Sequence, residues 1–475
     1  MIMTATKLIF ACFIAFFYAF SANANNVTIA NITMTNDSTI TFDISWENSW
    51  RVGVAPNNHD AVWLFIKKRD CASMVWSHVN LSPTVGNHSA ASPLEVFIDG
   101  KDGVSAAKGV FLRRAANGTG NIASTSVSLR MIGLVAGQFD FQVFGIEMVQ
   151  IPSGSFSVGD GAAAQTLREG STTNPFLINS ENAITAGAAA GQLNATSFPP
   201  LSIPAAFPKG FNEVYAMKYE ISQGQYVDFV NTLNSGQGAA RQITSAVNRM
   251  NITGAWPALV AGAPHRAMVF LAWADFLAYL DWAALRPMSE LEFEKICRGP
   301  VFPNNNENAW GSALTIDANT AVNDGTATEN VSNVIPAGNG IANYNNTTIL
   351  GPLRCGFAAK PGTNRQQAGA SYYGVMELSG NANEQVVTTT NATGIAFQGN
   401  LGDGEISQTP TPGFADVVNW PSVQASIASA TSAVGRGLRG GNWATTLTDL
   451  NVSDRSNITN NSGQRLSTTG GRGVR

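Results

Sequence analysis

Residues 371–384 read Ser-Tyr-Tyr-Gly-Val-Met-Glu-Leu-Ser-Gly-Asn-Ala-Asn-Glu, with two carboxylates, Glu377 and Glu384, seven residues apart. Gly380 and Ala382 lie between them and are small enough to leave the main chain accessible. A hard cation such as Ca²⁺ takes about six to eight oxygen ligands from carboxylates, amides and carbonyls. The stretch can therefore offer one ion two carboxylates and two carbonyls. Spacing alone leaves the alternative open that both acids are simply solvated.

Six more segments carry recognisable motifs around this stretch. They include Glu-Met-Val-Gln-Ile-Pro-Ser-Gly near the middle of the chain and Arg-Gly-Gly-Asn-Trp near its end. The segments are 147–159, 213–229, 286–299, 310–311, 439–443 and 471–475. In this order, and together with 371–384, they resemble the signature motifs of the formylglycine-generating enzyme, or sulfatase-modifying factor, family over about residues 146–475.

The resemblance implies a fold and a metal site. It implies an α+β protein with the compact C-type-lectin-like fold of that family, with few helices, short strands and long loops. It also implies a structural calcium ion held by the side chains of Glu377 and Glu384 and the carbonyls of Gly380 and Ala382. We therefore expect calcium as the cofactor and residues 146–475 as one sulfatase-modifying-factor-like domain.

Three helices are expected in this region. Ser222 with Gln225, and Ser289 with Glu292, have the spacing of capping boxes at helix starts. A third helix is expected near Trp273, where aromatic and aliphatic residues recur at helical spacing.

The preceding part of the chain reads as all β. Apolar residues recur at every second position in several short runs, and turn residues separate the runs. These alternating positions are Ile40, Phe42, Ile44 and Trp46, then Val62, Leu64 and Ile66, then Val127, Leu129 and Met131, and finally Phe139, Phe141 and Val143. The pattern predicts a β-sandwich-like accessory domain over 25–145, with the boundary where the first family-like motif begins.

Residues 1–24 are typical of a secretory signal peptide. An apolar run of 13 residues, from Leu8 to Phe20, is too short for a membrane span and precedes the small-x-small sequence Ala22-Asn23-Ala24. An uncleaved anchor is the alternative. Without a second long apolar run, we expect no membrane span after removal of the signal, and a location outside the cell or at its surface.

Export places the remaining cysteines in an oxidising compartment. Cys297 and Cys355 both fall in the larger domain, and we expect them to form a disulfide. Two buried free thiols are the alternative.

Charge argues against nucleic acid as a partner. Charged residues make up 13% of the chain, about half the usual share, and the net charge is −4. The longest basic cluster is Lys67-Lys68-Arg69, too small for a phosphate-neutralising face.

The chemistry of the family's oxidase members is missing. Those enzymes hold copper with two cysteines a few residues after the Arg-Gly-Gly motif, and soft thiolates suit Cu(I). Thr445 and Leu450 stand near the corresponding places, and no cysteine follows Cys355. We therefore expect no copper, and the departure from the family pattern favours a protein that is not an enzyme.

A binding function is then the leading hypothesis. The late segment is rich in short polar side chains that can hydrogen-bond a glycan or a protein ligand, with one tryptophan as an apolar platform. The candidate residues are Asn442, Trp443, Thr445, Thr446, Asp449, Arg455 and Arg465. Trp443 in the core, and Arg455 in a structural ion pair, are the alternatives.

Three other functions stay open at this point. The chain can be an enzyme of the family with an unrecognised site, or a subunit of an envelope complex. It also resembles binding proteins diversified by retroelements, which vary the residues after a similar Arg-Gly-Gly-Asn-Trp motif.

Overall fold

A computed structural model describes residues 27–360, 362–408 and 411–475. The expected signal peptide, residues 1–24, lies outside this part of the chain. The described residues form a mixed structure in which strands outnumber helices. No helix among them is both long and apolar enough to cross a bilayer.

The first nine strands form two sheets. They are β1 (Thr28–Asn36), β2 (Thr39–Arg51), β3 (Asp60–Asp70), β4 (Trp76–Val79), β5 (Ser89–Ala90), β6 (Leu94–Phe97), β7 (Val110–Arg114), β8 (Gly118–Arg130) and β9 (Phe139–Ile151). One sheet has the order β1-β2-β8-β5, and in the other β9, β3, β7 and β6 are neighbours with β4 beside β3. All these pairs are antiparallel.

The remaining described residues form short strands and five α-helices. The strands are β10 (Phe156–Val158), β11 (Leu167–Glu169), β12 (Phe176–Ile178), β13 (Leu193–Ala195), β14 (Val214–Met217), β15 (Ile252–Thr253), β16 (Val260–Ala261), β17 (Met288–Ser289), β18 (Thr315–Asp317), β19 (Ala321–Val322), β20 (Asn330–Val331), β21 (Gly340–Ala342), β22 (Glu384–Val387) and β23 (Arg436–Arg439). The helices are α1 (Gln223–Asn231), α2 (Ser235–Arg241), α3 (Trp273–Trp282), α4 (Glu290–Arg298) and α5 (Ala392–Ile395).

The three expected helices are present as α1, α3 and α4. The Ser222 hydroxyl accepts the Gln225 N–H at 3.2 Å, and the Ser289 hydroxyl accepts the Glu292 N–H at 3.1 Å. In both boxes the third residue's side chain accepts the N–H of the capping serine in return. Local hydrogen bonding thus fixes where α1 and α4 begin.

Strand β3 is buried on both faces. Val62, Leu64 and Ile66 pack into a cluster with residues of the β1-β2-β8-β5 sheet. Trp63 and Phe65 point the other way, into the large cluster that contains α1 and α3. The Trp63 indole N–H donates to the Ala283 carbonyl just after α3, at 2.9 Å. The molecule therefore has three layers, with the sheet of β3 in the middle.

The boundary expected at residue 145/146 falls inside β9. Its residues 139–149 pair with the whole of β3, and its end pairs with β14, where Ile151 faces Val214. The middle sheet therefore takes β3, β4, β6 and β7 from the first part and β14 from the second, with β9 spanning the boundary, so the two parts share one hydrogen-bonded layer.

The expected Cys297–Cys355 disulfide is not present. Both thiols are buried and free. Cys297 packs in the cluster beneath α4, whereas the Cys355 sulfur lies 3.5 Å from the Glu220 carbonyl oxygen. The two side chains pack in different parts of the fold. An oxidising compartment permits a disulfide, but it does not move two distant thiols together.

His59 joins the two parts where β14 meets the middle sheet. Its Nε2 lies 3.0 Å from the Tyr215 hydroxyl and accepts a longer hydrogen bond from Arg113. Burial, and then the nearby Arg113 and Arg51 charges, lower the pKa of His59 from 6.5 to about 3. The ring is therefore neutral in the folded protein at neutral pH, whereas in the unfolded chain it takes up a proton near its ordinary pKa of 6.5.

Acid should destabilise the protein through His59. Because its folded pKa lies below its unfolded pKa, the stabilisation is complete above pH 6.5 and is lost as pH falls towards 3. From pH 7 to pH 5 the loss is about 2 kcal/mol of unfolding free energy. Urea unfolding at both pH values measures it. His59→Gln should remove most of this pH dependence, and an equal slope in the variant would contradict the assignment.

Candidate cation loop and ligand cleft

The loop of residues 377–384 is held in an unusual backbone shape. Glu377 has φ +52° and Gly380 has φ +91°. A Cβ on Gly380 would come within 2.7 Å of the Asn343 carbonyl oxygen, so only glycine fits there. The Gly380 N–H donates to the Gly440 carbonyl at 2.8 Å, which ties this loop to the Arg-Gly-Gly segment.

The four expected calcium ligands have free oxygens. Glu377 accepts the Gly356 N–H through Oε1, and Glu384 accepts the Arg472 guanidinium through Oε1. The second oxygen of each carboxylate is buried without a hydrogen-bond partner. Among the described residues, no hydrogen bond ends on the carbonyl oxygens of Gly380 or Ala382. Four oxygens of the type that calcium prefers thus lack a hydrogen-bond partner among the described residues, which is the chemistry expected of ligands for such an ion.

Two charged residues at this loop were not expected from the sequence. Glu220 accepts the Ala382 N–H at 2.8 Å and the Asn381 side-chain N–H at 2.5 Å. Arg472 donates to Glu384 at 2.5 Å. Both lie inside motifs at 213–229 and 471–475, but no local pattern indicated that these segments meet. Burial is the main cause that raises the pKa of Glu377 to about 7, and burial also raises the pKa of Glu220 well above its ordinary value.

The two positions expected for copper thiolates do lie side by side. A Cβ on Gly441 would meet the Thr445 hydroxyl at 2.8 Å and a Leu450 methyl at 3.0 Å. The hydroxyl is already bonded to the Asn442 N–H at 2.9 Å. A hydroxyl and a methyl occupy this place, and neither is a ligand for Cu(I).

The ligand face expected over 442–465 is not one continuous surface. Trp443 is 8% exposed and its indole donates to the Ser467 carbonyl, so the expected platform belongs to the core. Arg455 is fully buried and pairs with Glu290 at 2.7 Å. Asn442 is also buried, and Arg465 pairs with the buried Asp275. The role of Arg455 as a ligand contact is therefore wrong, because its guanidinium is committed to the core.

The remaining candidates lie on a short exposed turn. Thr446 is exposed, and Thr445 and Asp449 are half-buried. Asp449 accepts both the N–H and the hydroxyl of Thr446, at 3.2 and 2.9 Å. These groups mainly bond one another.

A cleft of about 420 Å³ opens beside Arg465. Four segments of the chain line it, and most of the residues are polar or small: Gln242, Ile243, Thr244, Ser245, Gly254, Ala255, Phe270 and Arg465. Phe270 has φ +61°, a conformation that bulky side chains rarely adopt and that often marks functional sites. Its N–H donates to the Leu466 carbonyl, next to Arg465.

Asp281, Asp403 and Asp416 form a second acidic group that the sequence did not indicate. Their carboxylate oxygens lie within 4.8 Å of one another. Both oxygens of buried Asp281 already accept backbone N–H groups, from Asp403 at 3.0 Å and Asp416 at 3.1 Å. The Asp281 carboxylate therefore anchors the loop that carries Asp403 and Asp416, and this role accounts for the acidic group.

Removal of the Arg455 charge should destabilise the core. Although burial alone would raise it, the Arg455 and Arg439 guanidiniums hold the pKa of Glu290 at about 2. Arg455→Met leaves this carboxylate with the more distant Arg439, and we expect a loss of about 3–5 kcal/mol in urea unfolding. Thr446→Ala on the exposed turn should change stability by less than about 0.5 kcal/mol. Equal, small effects would return Arg455 to the ligand candidates.

Comparison with known proteins agrees with this geometry. The family described as "Sulfatase-modifying factor enzyme 1-like domain" matches residues 141–475, which is more than half of the chain. A search of curated proteins gives no significant match. The match begins within β9 and includes the cation loop and the cleft. Over residues 141–475 the chain belongs to the sulfatase-modifying factor (formylglycine-generating enzyme) family.

Proposed function

We propose that this family member is an exported, non-catalytic ligand-binding protein, and that its second part has the family's C-type-lectin-like fold behind a sandwich-like first part. The observation that supports the proposal is that Thr445 and Leu450, which stand near the positions that the family resemblance gives to the two thiolates, both lie against Gly441. Without soft ligands there, the copper-dependent oxidation of a substrate cysteine has no metal centre.

The cleft beside Arg465 is the proposed ligand site. Its volume is within the usual range for small-ligand pockets, about 300–1,000 Å³. Arg465 is bonded through Nε and Nη2 to Asp275, a carboxylate that it shares with Arg241. Amide and hydroxyl groups of Gln242, Thr244 and Ser245 supply the other polar contacts. This combination favours a polar ligand that can hydrogen-bond, such as a glycan unit or a peptide segment.

A structural calcium ion is also part of the proposal. Glu377, Gly380, Ala382 and Glu384 would hold it, and the ion would clamp a loop that is bonded to the Arg-Gly-Gly segment. The observation that supports it is the pair of buried carboxylate oxygens without partners. The ion would stabilise the scaffold that carries the cleft.

Blocking the cleft should abolish binding. Thr244 is exposed at its rim, so Thr244→Trp can fill the space without disturbing the core. Glycan and peptide arrays probed with the wild-type protein should give a set of ligands that Thr244→Trp no longer binds. The matched control is Thr446→Trp on the exposed turn, which should bind normally. Loss of binding only in the Thr446 variant would move the site to that turn.

Chelation should lower thermal stability. A site filled at one hundred times its dissociation constant contributes about 2.7 kcal/mol, which EDTA would remove and added Ca²⁺ would restore. Glu377→Gln should weaken calcium binding and make the melting temperature insensitive to EDTA. Calorimetric melting with and without EDTA checks both. An identical EDTA effect in the wild type and the variant would place the ion elsewhere.

A further inference from the structure

Arg436 differs from the other arginines of the core in its lack of an acidic partner. It lies at the start of β23 and is 1% exposed, and no carboxylate of the described residues forms an ion pair with it. The other four fully buried arginines each pair with a carboxylate at 2.5 to 2.9 Å. These pairs are Arg439–Glu294, Arg455–Glu290, Arg472–Glu384 and Arg475–Asp99.

The hydrogen bonds of Arg436 leave one side of its guanidinium unused. Nη1 donates to the side-chain oxygen of Asn460 at 3.0 Å and to the carbonyl of Ser462 at 2.7 Å. Nε and Nη2 are buried and have no hydrogen-bond partner. A guanidinium has five N–H groups, so the three on Nε and Nη2 form an adjacent set of donors without an acceptor.

The segment of residues 457–463, called the cover loop below, lies over this guanidinium. A Cβ on Gly437 would come within 2.5 Å of the Ile458 carbonyl oxygen, so glycine is needed for the loop to lie this close to β23. The Leu438 N–H donates to the Asn457 carbonyl at 3.0 Å and holds the loop on the strand. The backbone therefore builds an enclosed place for the side chain of Arg436.

This place is close to the molecular surface. Thr459 in the cover loop is exposed, and Asn460, which accepts from Arg436, is half-buried. Water and small solutes reach the outer side of the loop, and its inner side faces the guanidinium. A small displacement of the cover loop would thus connect Nε and Nη2 with the solvent.

The charge on Arg436 needs a partner. Burial lowers the pKa of its guanidinium to about 9, and no neighbouring carboxylate offsets this change. The group is therefore still protonated at neutral pH. A buried charge is costly unless an opposite charge is close to it, because the protein interior screens it less than water does.

We infer that Arg436 forms a buried binding site for a small monovalent anion, such as a halide, which accepts hydrogen bonds from Nε and Nη2. One negative charge neutralises one guanidinium, and hydrogen bonds between charged groups are the stronger kind. A halide is a single atom and needs the least room in an enclosed site. The anion would hold the cover loop against β23, independently of the calcium site and of the ligand cleft.

Thermal unfolding of the full chain at constant ionic strength tests this inference. Sodium methanesulfonate, whose anion is larger, is replaced in steps by sodium chloride or sodium bromide. An anion that binds only the folded chain stabilises it. The melting temperature of the wild type should therefore rise by about 1–3 °C and then level off as the site fills.

Two variants separate the site from general effects of salt. Arg436→Met removes the charge and should abolish the rise. In methanesulfonate it should be at least as stable as the wild type, because an apolar side chain then replaces an unmatched buried charge. Arg130→Met is the matched control, since it removes an exposed arginine at the end of β8 and should keep the rise.

Crystals grown in bromide locate the anion directly. An anomalous peak within hydrogen-bonding distance of Nε or Nη2 of Arg436 supports the inference. Bromide only at other places, or an equal rise of the melting temperature in Arg436→Met, overturns it. A carboxylate of a neighbouring chain against Arg436 also overturns it, because the partner would then be a protein.

Arg436→Lys gives a second measurement should Arg436→Met not fold. Lysine keeps the charge but lacks the fixed pair of donors that Nε and Nη2 provide. The halide concentration at half of the rise should therefore increase about tenfold. An unchanged concentration in this variant would contradict the role assigned to Nε and Nη2.

Discussion

The burial of β3 on both faces is the constraint on which the architecture depends. Its even-numbered residues meet the first sheet and its odd-numbered aromatics meet α1 and α3. A two-sheet sandwich would bury only one face of this strand, and Trp63 and Phe65 on the other face would then be exposed to water. The helices of the family part are the cover for the first part's middle sheet, and the pairing of β9 with β14 fixes their position.

Sequence patterns predicted what is set locally. The alternation of Val62, Leu64 and Ile66 and the two capping boxes concern residues within a few positions of one another, and the structure contains them as expected. The alternation concerned only one face of β3. Trp63 and Phe65 are also apolar, so the strand is a continuous apolar run, and such a run is typical of a strand that lies between two layers.

Contacts between distant segments were beyond the patterns. Glu220, Ala382 and Arg472 meet although more than 80 residues separate each from the next. The disulfide was expected from the oxidising compartment and the number of cysteines. Neither of these says how far apart two thiols lie in the fold, which is what decides whether a disulfide can form. The expected polar face came from composition. In the fold, the late arginines are turned inward: Arg436, Arg439, Arg455, Arg472 and Arg475 are among the largest fully buried side chains. Although the chain has few charged residues, it buries several of them, and most of these arginines pair with buried carboxylates.

The continuity of β9 limits how the chain can be divided for expression. A cut at residue 145 would split a strand in the middle and leave the aromatic side of β3 without its cover. A fragment that ends there would expose Trp63 and Phe65 to water, and the complementary fragment would begin in the middle of a strand that pairs with β14.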